Sequence, residues 1–258
     1  MRLMNVIVCV KQIPDPALPG ELDPSTNTLK RDGKLILDES DSYGVEMALQ
    51  LVNTAGEGSV TLVSMAPNDE VSGLRTALAM GAEKAVLVSD PVLAGADALT
   101  TAKVLAGAVG KAGNYDLIIA GTESSDGYTG TVPEQMAEVL GLPSVGFAKT
   151  IAVDGGTVKV DRQTEAGYDE VSCSLPAVVS VTAGVVEPRY PSFKGIMAAK
   201  SKPVETVTAA DLGVESVSWA QSISSVEDAP AREAGEIIED DGETFNKIVD
   251  FLDNLKVI

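Results

Sequence analysis

The chain has 258 residues, no histidine, two cysteines and a formal net charge of −19. So acidic a surface repels nucleic acid and anionic lipid, whose recognition depends on lysine and arginine meeting phosphate. The missing histidine removes Ser-His-Asp, Cys-His and histidine proton-shuttle chemistry, and Cys9 and Cys173, far apart and in no CxxC pattern, exclude a zinc or iron–sulfur site within this chain.

Aromatics are 4% of the chain and glycine is plentiful, the profile of an α/β protein with close helix–sheet packing. The opening MRLMNVIVCV is too short an apolar run for a signal peptide, and Lys11 ends it. No stretch reaches the roughly 20 apolar residues of a membrane helix. A cytoplasmic protein without a membrane span is expected.

In chain order, residues 5–12 (NVIVCVKQ) read as a buried strand and 42–52 as an amphipathic helix ending near Gly56. A strand over 59–65 and a helix over 68–80, closed by Gly81, follow. The pattern repeats with a strand at 84–89, a helix at 96–112, a strand at 116–121 and a helix from about Thr131 to Gly141. Continuous Val, Ile and Leu runs alternating with helices imply parallel strands buried on both faces, hence a doubly wound, mostly parallel sheet. Ligands of such sheets bind beyond the carboxyl ends of strands, which directs attention to the region after Cys9, Met65 and Gly121.

After Leu142 the rhythm changes. Residues 144–163 read as a hairpin turning at Asp154–Gly156, and 168–184 add one or two strands. Residues 187–205 (EPRYPSFKGIMAAKSKPVE) are punctuated by proline and locally basic, reading as an irregular loop. From Asp211 onward twelve acidic residues face Arg232, Lys247 and Lys256, with one amphipathic helix at 243–255. That acidic segment is either a solvated tail or an arm that packs on another polypeptide.

There is no GxGxxG, Walker A, GxSxG or HExxH pattern. The stretch AGTESSDGYTGTVPEQ (120–135) carries the strongest local signal. Gly127 and Gly130 permit close backbone approach, and the amides of Gly130, Thr131 and Val132 open a helix whose dipole favours an anion. Thr131 and Glu134 also fit a capping box, so a plain helix start and a phosphate cradle are both open on these residues. Asp38 and Asp41 precede a helix, as N-caps or as acceptors for a ribose or an adenine amino group. Phe193, set among Arg189, Lys194, Lys200 and Lys202, is either one buried aromatic in a surface loop or an interface anchor.

Together these motifs make the chain closely resemble the β subunit of electron transfer flavoprotein. NVIVCVKQIPDP, RTALAMGAEKAVLV, DGYTGTVPEQMAEVLGLP, VDRQTEAGYDEVSCSLPAVVSV and EPRYPSFKGIMAAKSKPVE occur in the family's order and span nearly the whole chain. The resemblance implies a Rossmann-like adenine-nucleotide fold over 1–186, a partner-recognition loop over 187–205, and an acidic arm over 206–258 that packs on an α subunit. It implies an obligate heterodimer in which the α subunit holds FAD at the interface and this chain buries a structural AMP. The site residues it implies are Cys9, Asp38, Glu39, Ser40, Asp41, Met65, Gly121, Thr122, Glu123, Asp126, Gly127, Tyr128, Thr129, Gly130, Thr131 and Val132. Those implied for partner recognition are Arg189, Tyr190, Phe193, Lys194, Ile196, Met197 and Lys200. The pair is expected to take electrons from flavin dehydrogenases such as acyl-CoA dehydrogenases and to pass them through ETF-quinone oxidoreductase to the quinone pool, with no catalytic side chain here. A bifurcating branch holds a second FAD in this subunit and reacts with NADH. Its loop usually reads DGDTAQVGP where this chain has DGYTGTVPE, which points to AMP. A stand-alone nucleotide sensor of the same fold class is a third reading, disfavoured because it needs neither the 187–205 loop nor the arm.

Overall fold

A computed structural model describes residues 3–214, 221–231, 234–235 and 237–258. The chain divides into two units, Met1–Ile223 and Ser224–Ile258. Parts of the expected arm, at 215–220, 232–233 and 236, lie outside the described residues.

The first unit is built on a nine-stranded sheet. Its strands are β1 (Met4–Cys9), β4 (Gly58–Ala66), β5 (Lys84–Ser89), β6 (Leu117–Gly121), β7 (Ser144–Asp154), β8 (Thr157–Thr164), β9 (Gly167–Ser174), β10 (Ala177–Val181) and β11 (Val204–Val207). A separate two-stranded ribbon joins β2 (Gln12–Pro14) and β3 (Leu35–Leu37). The order β11-β5-β4-β1-β6-β10-β7 is parallel throughout, and β8 and β9 continue it antiparallel. This is the doubly wound, Rossmann-like α/β fold with an added hairpin that the alternating apolar runs predict. All five residues of β6 and of β10 are buried, as strands covered on both faces must be. At the sheet's edge β9 is mostly exposed and polar.

Helices α1 (Glu39–Ala55) and α2 (Ser72–Met80) cover one face through Val45, Ala48, Leu74 and Leu78. Helices α3 (Ala98–Ala112) and α4 (Val132–Leu140) cover the other through Val104, Val109, Met136 and Ala137. From β1 the chain winds outward through β4 and β5, then returns to place β6 on β1's other side. The strand order therefore reverses at β1, and in register the carboxyl ends of β1, β4 and β6 come together at Cys9, Val63 and Ala120.

The sequence reading and the structure differ in four places. The helix expected over 68–80 begins at Ser72, because Glu70 Oε1 accepts from the amides of Val71 and Ser72 and so fixes a loop before the helix. The strand expected over 5–12 breaks after Cys9, where the Lys11 amide turns to Asp41, and resumes as β2. The short runs at β3 and β11 carry too few residues for a period to show. Within the expected 187–205 loop lies a helix, α5 (Phe193–Ala199), capped by Ser192 Oγ accepting from the Gly195 amide at 3.0 Å. Gly195 lets α5 lie close to α2, since a Cβ there would stand 2.4 Å from the Ala79 carbonyl oxygen. The hairpin turn falls where expected, with Gly155 and Gly156 both at positive φ between β7 and β8.

Among its described residues the second unit holds one helix, α6 (Thr244–Asn254), in the region the sequence predicts. Phe245, Ile248, Val249 and Phe251 are exposed on it.

Candidate functional site

The loop between β6 and α4, residues 122–131, crosses the carboxyl ends of β1 and β6 at the point where strand order reverses. Its turn closes by the Tyr128 amide donating to the Ser124 carbonyl at 2.9 Å, and Tyr128 and Gly130 take left-handed backbone angles, φ 50° and 64°. Among the described residues the amides of Gly130 and Thr131 donate to no protein acceptor. They join the first orphan amides of α4 at the positive end of its dipole.

The expected capping box does not form. Thr131 is the N-cap, yet no side-chain cap bond is made there. Glu134 turns instead toward β7, its Oε1 2.8 Å from where a Cβ on Gly146 would be. Glu134 therefore makes no bond over the helix start, while Glu123 Oε2 stands 3.4 Å from where a Cβ on Gly130 would be.

Charged side chains hold the loop from beneath. Asp38 is fully buried and accepts from the Ser40 amide (3.1 Å), Ser40 Oγ (2.8 Å) and the Ser125 amide (2.8 Å), so it caps α1 and ties the loop to it. Asp41 accepts from the Lys11 amide at 2.6 Å, with the Gly121 backbone close by. Burial pushes its pKa up to about 8 against those backbone groups, and the neighbouring Asp38 adds to the rise. Both carboxylates thus bind protein donors rather than facing open space. Asp126 joins Lys11 Nζ at 2.6 Å and the Arg31 guanidinium, while Lys11 Nζ also donates to Ser124 Oγ at 3.1 Å. Burial alone would raise Asp126, but the two cations and their hydrogen bonds hold it below the usual carboxylate range.

Two clefts flank the loop. The larger, about 540 Å³, lies between α4 and the hairpin and is lined by Gly130, Thr131, Glu134, Gln135, Phe147 and Arg162. The smaller, about 330 Å³, is lined by Ser40, Thr122, Glu123, Tyr128, Phe147 and Thr182 among others. Of the expected site residues, Ser40, Thr122, Glu123, Tyr128, Gly130 and Thr131 therefore converge on open space. Gly127, Thr129 and exposed Glu39 stand at the surface nearby, and Val132 starts α4. Cys9 and Met65 line neither cleft. Cys9 is buried against Met136, its Sγ 3.8 Å from that Sδ, and burial followed by the Asp41 charge pushes its thiol up to about 12. It is no nucleophile at neutral pH.

Motif reading misses Lys11, Arg31 and Phe147. A lysine directly after the buried β1 run at a strand's carboxyl end is a signal that could have found the first. Arg31 reaches the site from a long loop and carries no local signal.

The 187–205 segment behaves differently. Phe193 is 80% exposed and Tyr190 95%, with Lys194, Ile196, Met197 and Lys200 also exposed, so the buried-aromatic alternative for Phe193 is excluded. Arg189 turns inward, forming a forked pair with buried Glu46 through Nε (2.5 Å) and Nη2 (2.9 Å). Arg75 donates to the Ala199 and Lys202 carbonyls, each at 2.7 Å, fixing the other end.

This fold and loop place the chain in the class of doubly wound α/β proteins whose ligands sit at the switch point. Comparison with known proteins narrows the class. The family model for the electron transfer flavoprotein domain matches residues 26–212. The electron transfer flavoprotein subunit beta of Mycobacterium tuberculosis is 41% identical over 266 residues, covering 99% of this chain and all of the relative. That of Clostridium acetobutylicum is 38% identical over 213 residues, covering 82% and 81%. The caffeyl-CoA reductase-Etf complex subunit CarD of Acetobacterium woodii is 33% identical over 251 residues, covering 95% of each. The chain belongs to the electron transfer flavoprotein family, as a relative of its β subunits. Among the described residues no helix is long and apolar enough to cross a membrane, and no cluster of metal-binding side chains occurs.

Proposed function

We propose that the chain is the β subunit of a heterodimeric electron transfer flavoprotein, binding one structural AMP and supporting FAD held by an α subunit. The pair takes electrons from flavin dehydrogenases such as acyl-CoA dehydrogenases and delivers them through ETF-quinone oxidoreductase toward the quinone pool. The observation that carries this reading is the end-to-end similarity to β subunits, which covers 99% of this chain and all of the relative. The geometry supports an adenylate in particular. The orphan amides at Gly130, Thr131 and Val132 fit a phosphate, no side chain makes a cap bond there, and Ser40, Thr122 and Glu123 offer polar groups to a ribose in the adjoining cleft.

FAD supplies the electron-carrying chemistry when bound, and this chain's residues need only hold and exclude water. That agrees with the absence of histidine and with a Cys9 thiol locked in its neutral form. Co-purification with the α subunit, followed by heat release and chromatography of the nucleotides, tests the reading. One FAD and one AMP per pair are expected, with FAD reduced on adding an acyl-CoA dehydrogenase and its substrate. Two FAD per pair would instead establish the bifurcating alternative.

A further inference from the structure

The larger cleft shares Gly130 and Thr131 with the proposed phosphate site, but Glu134, Gln135, Phe147 and Arg162 on its other walls are left without a role by that reading. Glu134 Oε2 and Gln135 Oε1 are buried and accept no hydrogen bond. Buried carboxylate oxygens nearly always have donors, because only a donor offsets their desolvation. Their placement is built into the strand opposite: β7 carries Gly146 where any Cβ would press on Glu134 Oε1. The next residue, Phe147, holds φ at 59°, a conformation that bulky side chains avoid. Its amide is pinned to Ser180 Oγ at 3.1 Å and its ring, 44% exposed, lines the cleft. Two orphan acceptors beside an aromatic face form a receptor for a cation. Arg162, exposed and in no ion pair among the described residues, sets a second condition, since it requires an acceptor from whatever enters. A free polyamine meets only the first condition, whereas a polypeptide segment meets both.

We propose that this cleft receives an arginine or lysine side chain of the α subunit, its cation meeting Glu134 and Gln135 over the Phe147 ring, while a carbonyl or carboxylate of the same segment meets Arg162. The proposal rests on the heterodimer reading above, and a chain of net charge −19 is suited to a basic contact. In the co-purified complex, Glu134→Gln should weaken subunit association by about 30-fold or more, the scale of breaking a desolvated charge pair, and flatten its salt dependence. One arginine or lysine of the α subunit, shielded from chemical modification in the wild-type complex, should become reactive in the variant. Should Glu134→Gln not fold, Arg162→Glu at the exposed rim should weaken association about 10-fold. Association matching the wild type in either variant would overturn the proposal. So would a Glu134→Gln complex that keeps its affinity and loses AMP, which would return Glu134 to the nucleotide site. A wild-type chain that forms no complex with an α subunit would overturn the heterodimer reading itself.

Discussion

Two regions of the first unit are built for binding in opposite ways. In the 122–131 loop Asp126 points inward and, with Asp38 and Lys11, fastens the loop from below, while Glu123 and bare backbone amides are left outward. In the 187–205 segment the polar fastenings are at the base, Glu46 with Arg189 and Arg75 with two carbonyls, and apolar side chains point outward. On the proposed function the difference follows from the two targets. A phosphate is matched by fixed dipoles that need no rearrangement, whereas a protein face is matched by aromatic and aliphatic area held on a rigid base.

The largest effect should come from breaking the loop's fastening. Asp126→Ala leaves Lys11 and Arg31 facing each other, and should cost about 3 kcal/mol of unfolding free energy together with most of the bound nucleotide, read by denaturant melts and nucleotide release. Asp126 also sets an acid signature. Its folded pKa lies below the unfolded value, so its contribution is full above the unfolded pKa near 4 and is lost as pH falls through the folded one. The stability gap between wild type and Asp126→Asn should therefore close on acidification from pH 5 to pH 3, and a constant gap would contradict the ion-pair account. Asp41 has the opposite sign. With a folded pKa near 8, its contribution is present below about pH 4 and erodes as pH rises toward 8, so Asp41→Asn should flatten that slope.

Next in size, removing residues 215–258, with the exposed Phe245, Ile248, Val249 and Phe251 of α6, should weaken heterodimer assembly by roughly 10-fold or more. Unchanged elution on size exclusion would contradict that. Glu46→Gln should then cost about 1–2 kcal/mol, Arg189 being half exposed, and should slow reduction by dehydrogenases because the base of α5 loosens. Phe193→Ala sharpens the comparison most cleanly. It should leave stability within about 0.5 kcal/mol and FAD content unchanged, yet slow reduction by partner dehydrogenases about 10-fold. Flavin loss in that variant would make Phe193 a folding residue instead.

The doubly wound sheet was legible because buried parallel strands write themselves as Val, Ile and Leu runs over 59–65, 84–89 and 116–121. The helix over 132–140 was legible too, but its capping was not. Thr131 and Glu134 have the spacing of a capping box, and only the approach of β7 at Gly146 shows the carboxylate drawn elsewhere. Asp38 shows the same limit. Sequence offers it as either a cap or a ligand group, and the structure adds a tether that sequence could not show, the bond from the Ser125 amide 87 positions away. Arg31 and Phe147 join the site only through tertiary placement, one from a long loop and one through a strained backbone angle. Helix α5 lay hidden because Pro188, Pro191 and Lys200–Pro203 frame a helix of only seven residues.

The central claim is that unengaged amides at the start of α4 hold a phosphate. Calorimetric titration of the nucleotide-stripped complex with AMP and with adenosine tests it most directly. The account predicts that AMP binds at least about 100-fold more tightly, the worth of several charge-assisted amide bonds. Equal affinities for the two would contradict it.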